Sequence, residues 1–141
     1  MYYAALVVTV ASNVIYHIAQ KLMPVAVSPA LALFVTYLSA AAACVLLLPL
    51  FPLSAPIGAS LRQLNLSSFV LALAIVGLEL GFLMAYRAGW SITTAGLISN
   101  TAVAVLLVPV GVGFFRERLT LVNAVGIAVC LVGLVLVNWK R

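Results

Sequence analysis

Apolar residues fill five long stretches of the chain, each close to the length of a membrane-spanning helix. A helix that crosses the hydrocarbon core needs about 20 predominantly apolar residues. Pro24 ends the first stretch, Ser28 and Pro29 are typical first residues of a helix, and Gly89 lies in a tight turn between the third and fourth stretches. The pattern predicts an all-α, polytopic membrane protein with five transmembrane helices, at about residues 3–21, 29–50, 68–87, 92–115 and 120–139.

Composition supports a membrane protein and argues against a soluble enzyme. Of the 141 residues, 67% are hydrophobic and 6% are charged, whereas ordinary globular chains carry roughly a quarter charged residues. A soluble domain of this size could not bury so much apolar surface. The chain has one His and two Cys, and no catalytic triad or phosphate-binding glycine loop is apparent. We therefore expect a single transmembrane domain over residues 1–141, with no enzyme activity, no cofactor and no metal site.

The net charge of +5 arises from seven Lys/Arg against two acids, Glu79 and Glu117. The basic residues lie singly or in pairs at the edges of apolar stretches, which indicates a membrane-flanking role rather than nucleic-acid binding. They divide almost evenly between the two predicted faces, with Arg62, Arg116 and Arg118 on one and Lys21, Arg87, Lys140 and Arg141 on the other. Such balance favours insertion in both orientations; a single orientation, fixed by one residue or by an accessory partner, is the alternative.

Dual topology would make the chain one inverted repeat of a ten-helix antiparallel homodimer. Many secondary transporters consist of two inverted repeats around a site at the membrane midplane. We find no repeat within the chain, so a second copy would have to supply the symmetry.

Glu79 lies at the centre of the third apolar stretch. An ionisable side chain at mid-membrane is costly and usually faces a cavity on an ion or proton path. The alternative is a hydrogen-bonded carboxyl group that holds helices together. Gly77 and Gly81 flank Glu79 in a G-x-x-x-G pattern, which allows another helix to approach closely.

Polar residues in the first and fourth stretches are the other candidates for a binding site. Asn100 lies in the fourth stretch, and a stripe of polar residues follows one face of the first helix. Lining of a substrate cavity explains the stripe best, and hydrogen bonding between helices is the alternative. The residues of the stripe are Thr9, Asn13, Tyr16, His17 and Gln20.

The C-terminal part of the chain resembles a known family of transporters. The segment 113–120, Gly-Phe-Phe-Arg-Glu-Arg-Leu-Thr, precedes a helix with glycines at positions 126 and 133. It looks like the last two helices of an EamA-type domain of the drug/metabolite transporter superfamily. The turn at residues 86–96, from Tyr86 to Gly96, resembles the link between that domain's third and fourth helices. The resemblance implies five helices per domain, a transport function and a location in the bacterial inner membrane.

The same C-terminal part is also similar to the small multidrug resistance family, whose four-helix chains form antiparallel dimers. That family dimerises through a Gly-x6-Gly spacing in its last helix, which implies a dimer-packing role for Gly126 and Gly133. Its proton-exchanging glutamate lies eight residues before a lysine. The matching position before Lys21 is Asn13, so the carboxylate of that family is absent from its usual place.

These observations predict a secondary active transporter, an exporter, of small amphipathic metabolites or drugs. It would work by alternating access in the lipid bilayer as an antiparallel homodimer, with protons as the candidate coupling ion. A flippase for lipid-linked sugars or polyprenyl phosphates, with Lys21 and Arg87 as phosphate contacts, is one alternative. A non-transporting accessory subunit is another. The residues predicted to bind substrate or protons are Glu79, Asn13, His17, Tyr16, Gln20 and Asn100, and those predicted to pack the dimer or helices are Gly77, Gly81, Gly126 and Gly133.

Overall fold

The computed structural model describes residues 2–118 and 120–138, and over these residues it contains six α-helices and no strand. A 3-10 turn at Leu48–Leu50 follows the second helix. The all-α prediction is therefore confirmed for the described residues. The helices are α1 (Tyr2–Leu22), α2 (Pro29–Leu47), α3 (Ile57–Arg62), α4 (Leu66–Arg87), α5 (Ile92–Gly113) and α6 (Leu121–Asn138).

Four of the helices in the described part, α1, α2, α4 and α5, are long and apolar enough to cross a membrane. The apolar part of α6, Leu121–Leu136, is shorter. Four apolar helices of this length are compatible with a multi-pass membrane protein. The fifth predicted crossing extends to Trp139, which lies outside the described residues.

Local chemistry explains where the helices differ from their predicted bounds. The second helix ends at Leu47 rather than at residue 50, because Pro49 has no N–H for an α-helical hydrogen bond. Helix α4 begins two residues earlier than predicted. There the Asn65 side chain accepts a hydrogen bond of 3.0 Å from the Ser67 N–H and caps the helix.

The turn between α4 and α5 lies at Gly89, where the sequence predicts it. Gly89 has a φ of 97°, in the left-handed region that glycine adopts without strain from a Cβ atom. Ser91 then caps α5, because its hydroxyl accepts a hydrogen bond of 3.1 Å from the Thr94 N–H. The sequence from Gly89 to Ser91 thus ends one helix and starts the next.

The chain divides into two compact units, with the boundary between Ala88 and Gly89. In the first unit α1 and α2 both pack against α4. Leu83 of α4 is the most deeply buried large side chain. Most large apolar side chains of this unit instead point outward and are exposed. An outward apolar surface is what a lipid environment requires of a helical bundle.

The second unit is the helical pair α5 and α6. The Glu117 N–H donates a hydrogen bond of 3.0 Å to the Gly111 carbonyl and closes the end of α5. The Glu117 carboxyl lies over Gly111, with its Oε2 atom 2.6 Å from the position that a Cβ atom would take. Residues 114–117 therefore fold back on the end of α5.

Candidate functional site

A buried hydrogen bond joins α1 to α4 in the first unit. The Tyr86 hydroxyl and the Nδ1 atom of His17 lie 2.8 Å apart. Both side chains are buried, with exposed fractions of 5% for Tyr86 and 8% for His17. The hydrogen bond satisfies both polar groups. Without it, each group would be buried in apolar surroundings with no partner, which costs free energy.

Aromatic rings surround this hydrogen bond. The His17 ring meets the Phe82 ring edge-on at a centroid distance of 4.7 Å, and Phe82 stacks on Tyr86 at 5.9 Å. The Tyr16 ring lies edge-on to both His17 and Phe82, at 5.2 Å and 6.0 Å. Tyr16, His17, Phe82 and Tyr86, hereafter the aromatic cluster, form a rigid wall between α1 and α4.

Four polar atoms close to this wall are buried without a hydrogen-bond partner. They come from α1, α2 and α4, and they offer oxygen acceptors for a donor from outside the chain. Buried polar groups in native proteins nearly always have a partner, which can be a ligand, an ion or water. The four atoms are the hydroxyl oxygens of Tyr16 and Tyr37, Oε1 of Gln20 and Oε2 of Glu79.

Tyr37 of α2 lies beside Glu79 of α4, close enough for the hydroxyl and the carboxyl group to interact. Glu79 also interacts electrostatically with Tyr16 of α1. Glu79 itself is half-buried. Tyr37 of α2 and Tyr16 of α1 are thus both near enough to Glu79 for their side chains to interact with its carboxyl group.

A groove of about 520 Å³ runs between α2 and α4. It extends from Ser28 and Pro29, where α2 begins, to Tyr37, and its wall on α4 is formed by Val76 and Leu80. Most of the lining side chains are apolar. Tyr37 therefore belongs both to the groove and to the surroundings of Glu79.

Two basic side chains connect the ends of the helices in the first unit. The Nη2 atom of Arg87 donates hydrogen bonds to the carbonyls of Pro24, at 3.1 Å, and Val27, at 2.8 Å. The Nζ atom of Lys21 donates to the Tyr86 carbonyl at 3.4 Å and lies 5.6 Å from the centre of the Tyr86 ring. The loop between α1 and α2 is thereby attached to the end of α4.

The structure brings together four of the six residues that were predicted to bind substrate or protons. His17, Tyr16 and Gln20 lie on the side of α1 that faces α4, which carries Glu79. Asn13, one turn earlier on α1, is exposed. Thr9 is exposed as well, and its hydroxyl donates to the Ala5 carbonyl within the same helix. The predicted stripe therefore splits into a buried half and an exposed half.

Asn100 lies in the second unit, in a groove of about 550 Å³ between α5 and α6. Asn123 of α6 lines the same groove, together with Thr101 and Cys130. The two amides thus share a surface. Asn123 was not among the predicted site residues.

The four glycines predicted to pack helices have open space around them. Apart from the neighbouring residues and the backbone of the glycine's own helix, nothing described lies within 4 Å of the position where a Cβ atom would stand on Gly77, Gly81, Gly126 or Gly133. Close packing at these glycines within one chain is therefore absent from the described residues. Packing against a second chain remains a prediction.

The sequence analysis missed Tyr37, Phe82 and Tyr86 as site residues. A signal for two of them was present, because Phe82 and Tyr86 follow Glu79 by three and seven residues and so fall on the same face of α4. Tyr37 is a polar aromatic residue within an apolar helix, but its proximity to Glu79 depends on how α2 packs against α4.

Among the described residues, no group of three or more His, Cys, Asp or Glu side chains could hold a metal ion. Comparison of the chain with protein-family models, with curated proteins and with solved structures finds no match in any of the three.

Proposed function

We propose that the protein is a secondary active transporter that exchanges protons for small organic cations at Glu79. The observation that carries this proposal is the buried, unpartnered Oε2 atom of Glu79, in the interior of the apolar helix α4 and more than two turns from either end. A carboxyl group in such a place usually marks an ion or proton path. Tyr16, Tyr37 and Gln20 supply further oxygen atoms without partners, so the surroundings suit a donor that arrives from outside.

Exchange follows from the single negative charge of this site. Among the residues within the described helices Glu79 is the sole acid, and its charge can be neutralised by a proton or by a bound cation. Occupation by one disfavours the other, because a second positive charge would lack a counter-charge in apolar surroundings. Transport of a cation across the membrane in one direction would then be coupled to movement of a proton in the opposite direction.

We propose further that the chain contributes five transmembrane helices and works as an antiparallel pair of identical chains. The balanced basic residues and the resemblance to EamA-type domains support this arrangement. A second copy would also give the exposed amides of Asn100 and Asn123 a surface to pack against in place of lipid, where polar groups lack partners. Alternating access would result from rocking of the two inverted copies around the midplane.

The alternative function, transfer of a lipid-linked phosphate, needs basic side chains that are available to the phosphate. Lys21 and Arg87 are the candidates, and both already donate hydrogen bonds to backbone carbonyls of the chain. Arg87 in particular has two carbonyl partners through one nitrogen atom. We therefore favour a cation over a phosphate as the transported charge.

Reconstituted vesicles that contain a pH-sensitive dye test this proposal. Guanidinium is a suitable probe, because it keeps its charge at any accessible pH and does not cross the bilayer as a neutral base. An inward guanidinium gradient should move protons outward in vesicles that contain the wild-type protein. Glu79→Gln, which keeps the shape of the side chain and removes its charge, should abolish this proton movement.

The matched control is Glu117→Gln, which removes the one other acid of the chain from a turn outside the site. It should leave the coupled flux close to that of the wild type. Size-exclusion chromatography checks that each variant assembles. Equal flux for Glu79→Gln and the wild type, or no guanidinium-coupled proton movement in the wild type, would contradict the proposed function.

A further inference from the structure

The groove between α2 and α4 leads to the Glu79 site. Val76 and Leu80, which line the groove, are three residues before and one residue after Glu79 on α4. Residues three and four apart on a helix share a face, so the carboxyl group lies next to the wall of the groove. Tyr37 borders the groove from α2 and interacts with the same carboxyl group.

The groove is lined mostly by apolar side chains. It follows α2 from Pro29 to Tyr37, nine residues, whose ends are about 12 Å apart along a helix axis. Its volume of about 520 Å³ is in the range of sites for small molecules, about 300–1,000 Å³. An alkyl chain is the kind of group that such an apolar surface binds.

The polar end of the groove suits a group with N–H donors. Tyr37 at this end has a hydroxyl oxygen without a hydrogen-bond partner, as do the side-chain oxygen atoms of Glu79, Tyr16 and Gln20, which do not themselves line the groove. A primary ammonium group carries one positive charge and three N–H donors. It would match the charge of the carboxylate and satisfy several of these oxygen atoms at once. A quaternary ammonium group would match the charge alone and leave the oxygen atoms unpaired.

We propose that the substrate class is a single-chain amphipathic primary amine, with its ammonium group at Glu79 and its alkyl tail in the groove between α2 and α4. This inference rests on the proposed function, because it assumes that Glu79 binds a cation. It adds a recognition site for the tail, formed by the apolar residues of α2 and α4 that line the groove.

A single alkyl chain fits this site better than a membrane lipid with an amine headgroup. Phosphatidylethanolamine carries a phosphate next to its ammonium, and the phosphate would approach Glu79, whose charge repels it. The groove lies between one pair of helices, and its lining between Ser28 and Tyr37 is apolar. We therefore assign it to a single tail.

Calorimetric titration of the purified full-length protein in maltoside micelles tests the inference with three probes, ethylammonium, octylammonium and octyltrimethylammonium. The variant Val76→Phe fills the groove, and Val70→Phe is the matched control. Val70 is on the same helix, is exposed and does not line the groove. The readout is the ratio of the octylammonium and ethylammonium affinities in each protein, so that partition of the tail into micelles cancels between variants.

We expect octylammonium to bind about tenfold more tightly than ethylammonium to the wild type and to Val70→Phe, a difference of about 1.4 kcal/mol. This is less than full burial of the longer tail would give, because the groove is open on one side. In Val76→Phe the ratio should fall to about one while ethylammonium still binds, which also shows that the variant is folded. Octyltrimethylammonium should bind the wild type about tenfold more weakly than octylammonium.

Several outcomes would overturn the inference while the proposed function stands. They are equal affinities of the wild type for the two primary amines, an equal loss of octylammonium affinity in both phenylalanine variants, and equal binding of the quaternary amine. Phosphatidylethanolamine retained by the wild type and lost from Val76→Phe in native mass spectra would assign the groove to a lipid instead. By contrast, no ethylammonium binding to the wild type, or binding that is unchanged in Glu79→Gln, would contradict the proposed function itself.

Discussion

The hydrogen bond between Tyr86 and His17 offers a direct test of how α1 and α4 are held together. The substitution Tyr86→Phe removes the hydroxyl and keeps the ring, so the stacking on Phe82 at 5.9 Å is retained. The Tyr86 carbonyl, to which Lys21 donates, is retained as well. The variant therefore isolates the contribution of one interhelical hydrogen bond.

The expected loss of stability follows from the geometry. Hydrogen bonds between membrane helices contribute about 0.6 kcal/mol on average and up to about 1.7 kcal/mol. The bond here is 2.8 Å long and joins two side chains that are less than a tenth exposed, so His17 is left without its partner in apolar surroundings. We expect the free energy of unfolding to fall by about 1–1.7 kcal/mol.

Unfolding by sodium dodecyl sulfate in mixed micelles, followed by circular dichroism, measures this change. Tyr16→Phe is the matched control, because it removes a tyrosine hydroxyl that is buried without a partner. That control should be as stable as the wild type or slightly more stable. Equal destabilisation by the two substitutions would refute the reasoning, since the effect would then come from the loss of any hydroxyl and not of this bond.

Three further substitutions test the ends of the helices. Arg87→Lys replaces a guanidinium that has two carbonyl partners, Pro24 and Val27, by an ammonium group. Amide exchange in the loop 23–28 should then accelerate about tenfold, as measured by hydrogen-exchange mass spectrometry. Unchanged exchange would show that these hydrogen bonds do not hold the loop. Gly89→Ala places a Cβ atom on a residue with φ of 97° and should cost about 1–2 kcal/mol of unfolding free energy, and a neutral effect would mean that the turn readily adopts another conformation. Ser91→Ala removes the cap of α5 and should cost about 1 kcal/mol, whereas Ser91→Asp should restore the wild-type value.

The positions of the helices could be predicted from the sequence because each depends on local chemistry. The length of the apolar stretches, the proline at the start of α2 and the cap at Ser91 all act within a few residues. The buried half of the α1 stripe was predictable as well. Its polar residues recur at helical spacing on one face, and a polar face of an apolar helix has to meet another helix or a cavity.

The partners of these residues could be predicted only in part, because Glu79 and Tyr86 mark one face of α4 whereas α2 has little polar patterning. A helix without a polar face carries no signal of which side packs inward. The pairing of His17 with Tyr86 spans 69 residues, and the proximity of Tyr37 to Glu79 depends on the packing of α2 against α4. The exposed position of Asn13, on the same stripe as His17, has the same cause, since α4 covers one half of the stripe.

The bonds of Arg87 to the loop have a consequence for how freely the sequence can change. Their acceptors are main-chain carbonyl groups of Pro24 and Val27, and every amino acid carries such a group. Substitutions in this loop would therefore preserve the attachment as long as the backbone keeps its course, while position 87 accepts little besides arginine. The constraint on the amino-acid sequence therefore falls mainly on position 87. Residues of the loop beside the groove can be substituted, without insertion or deletion, and the fold is retained.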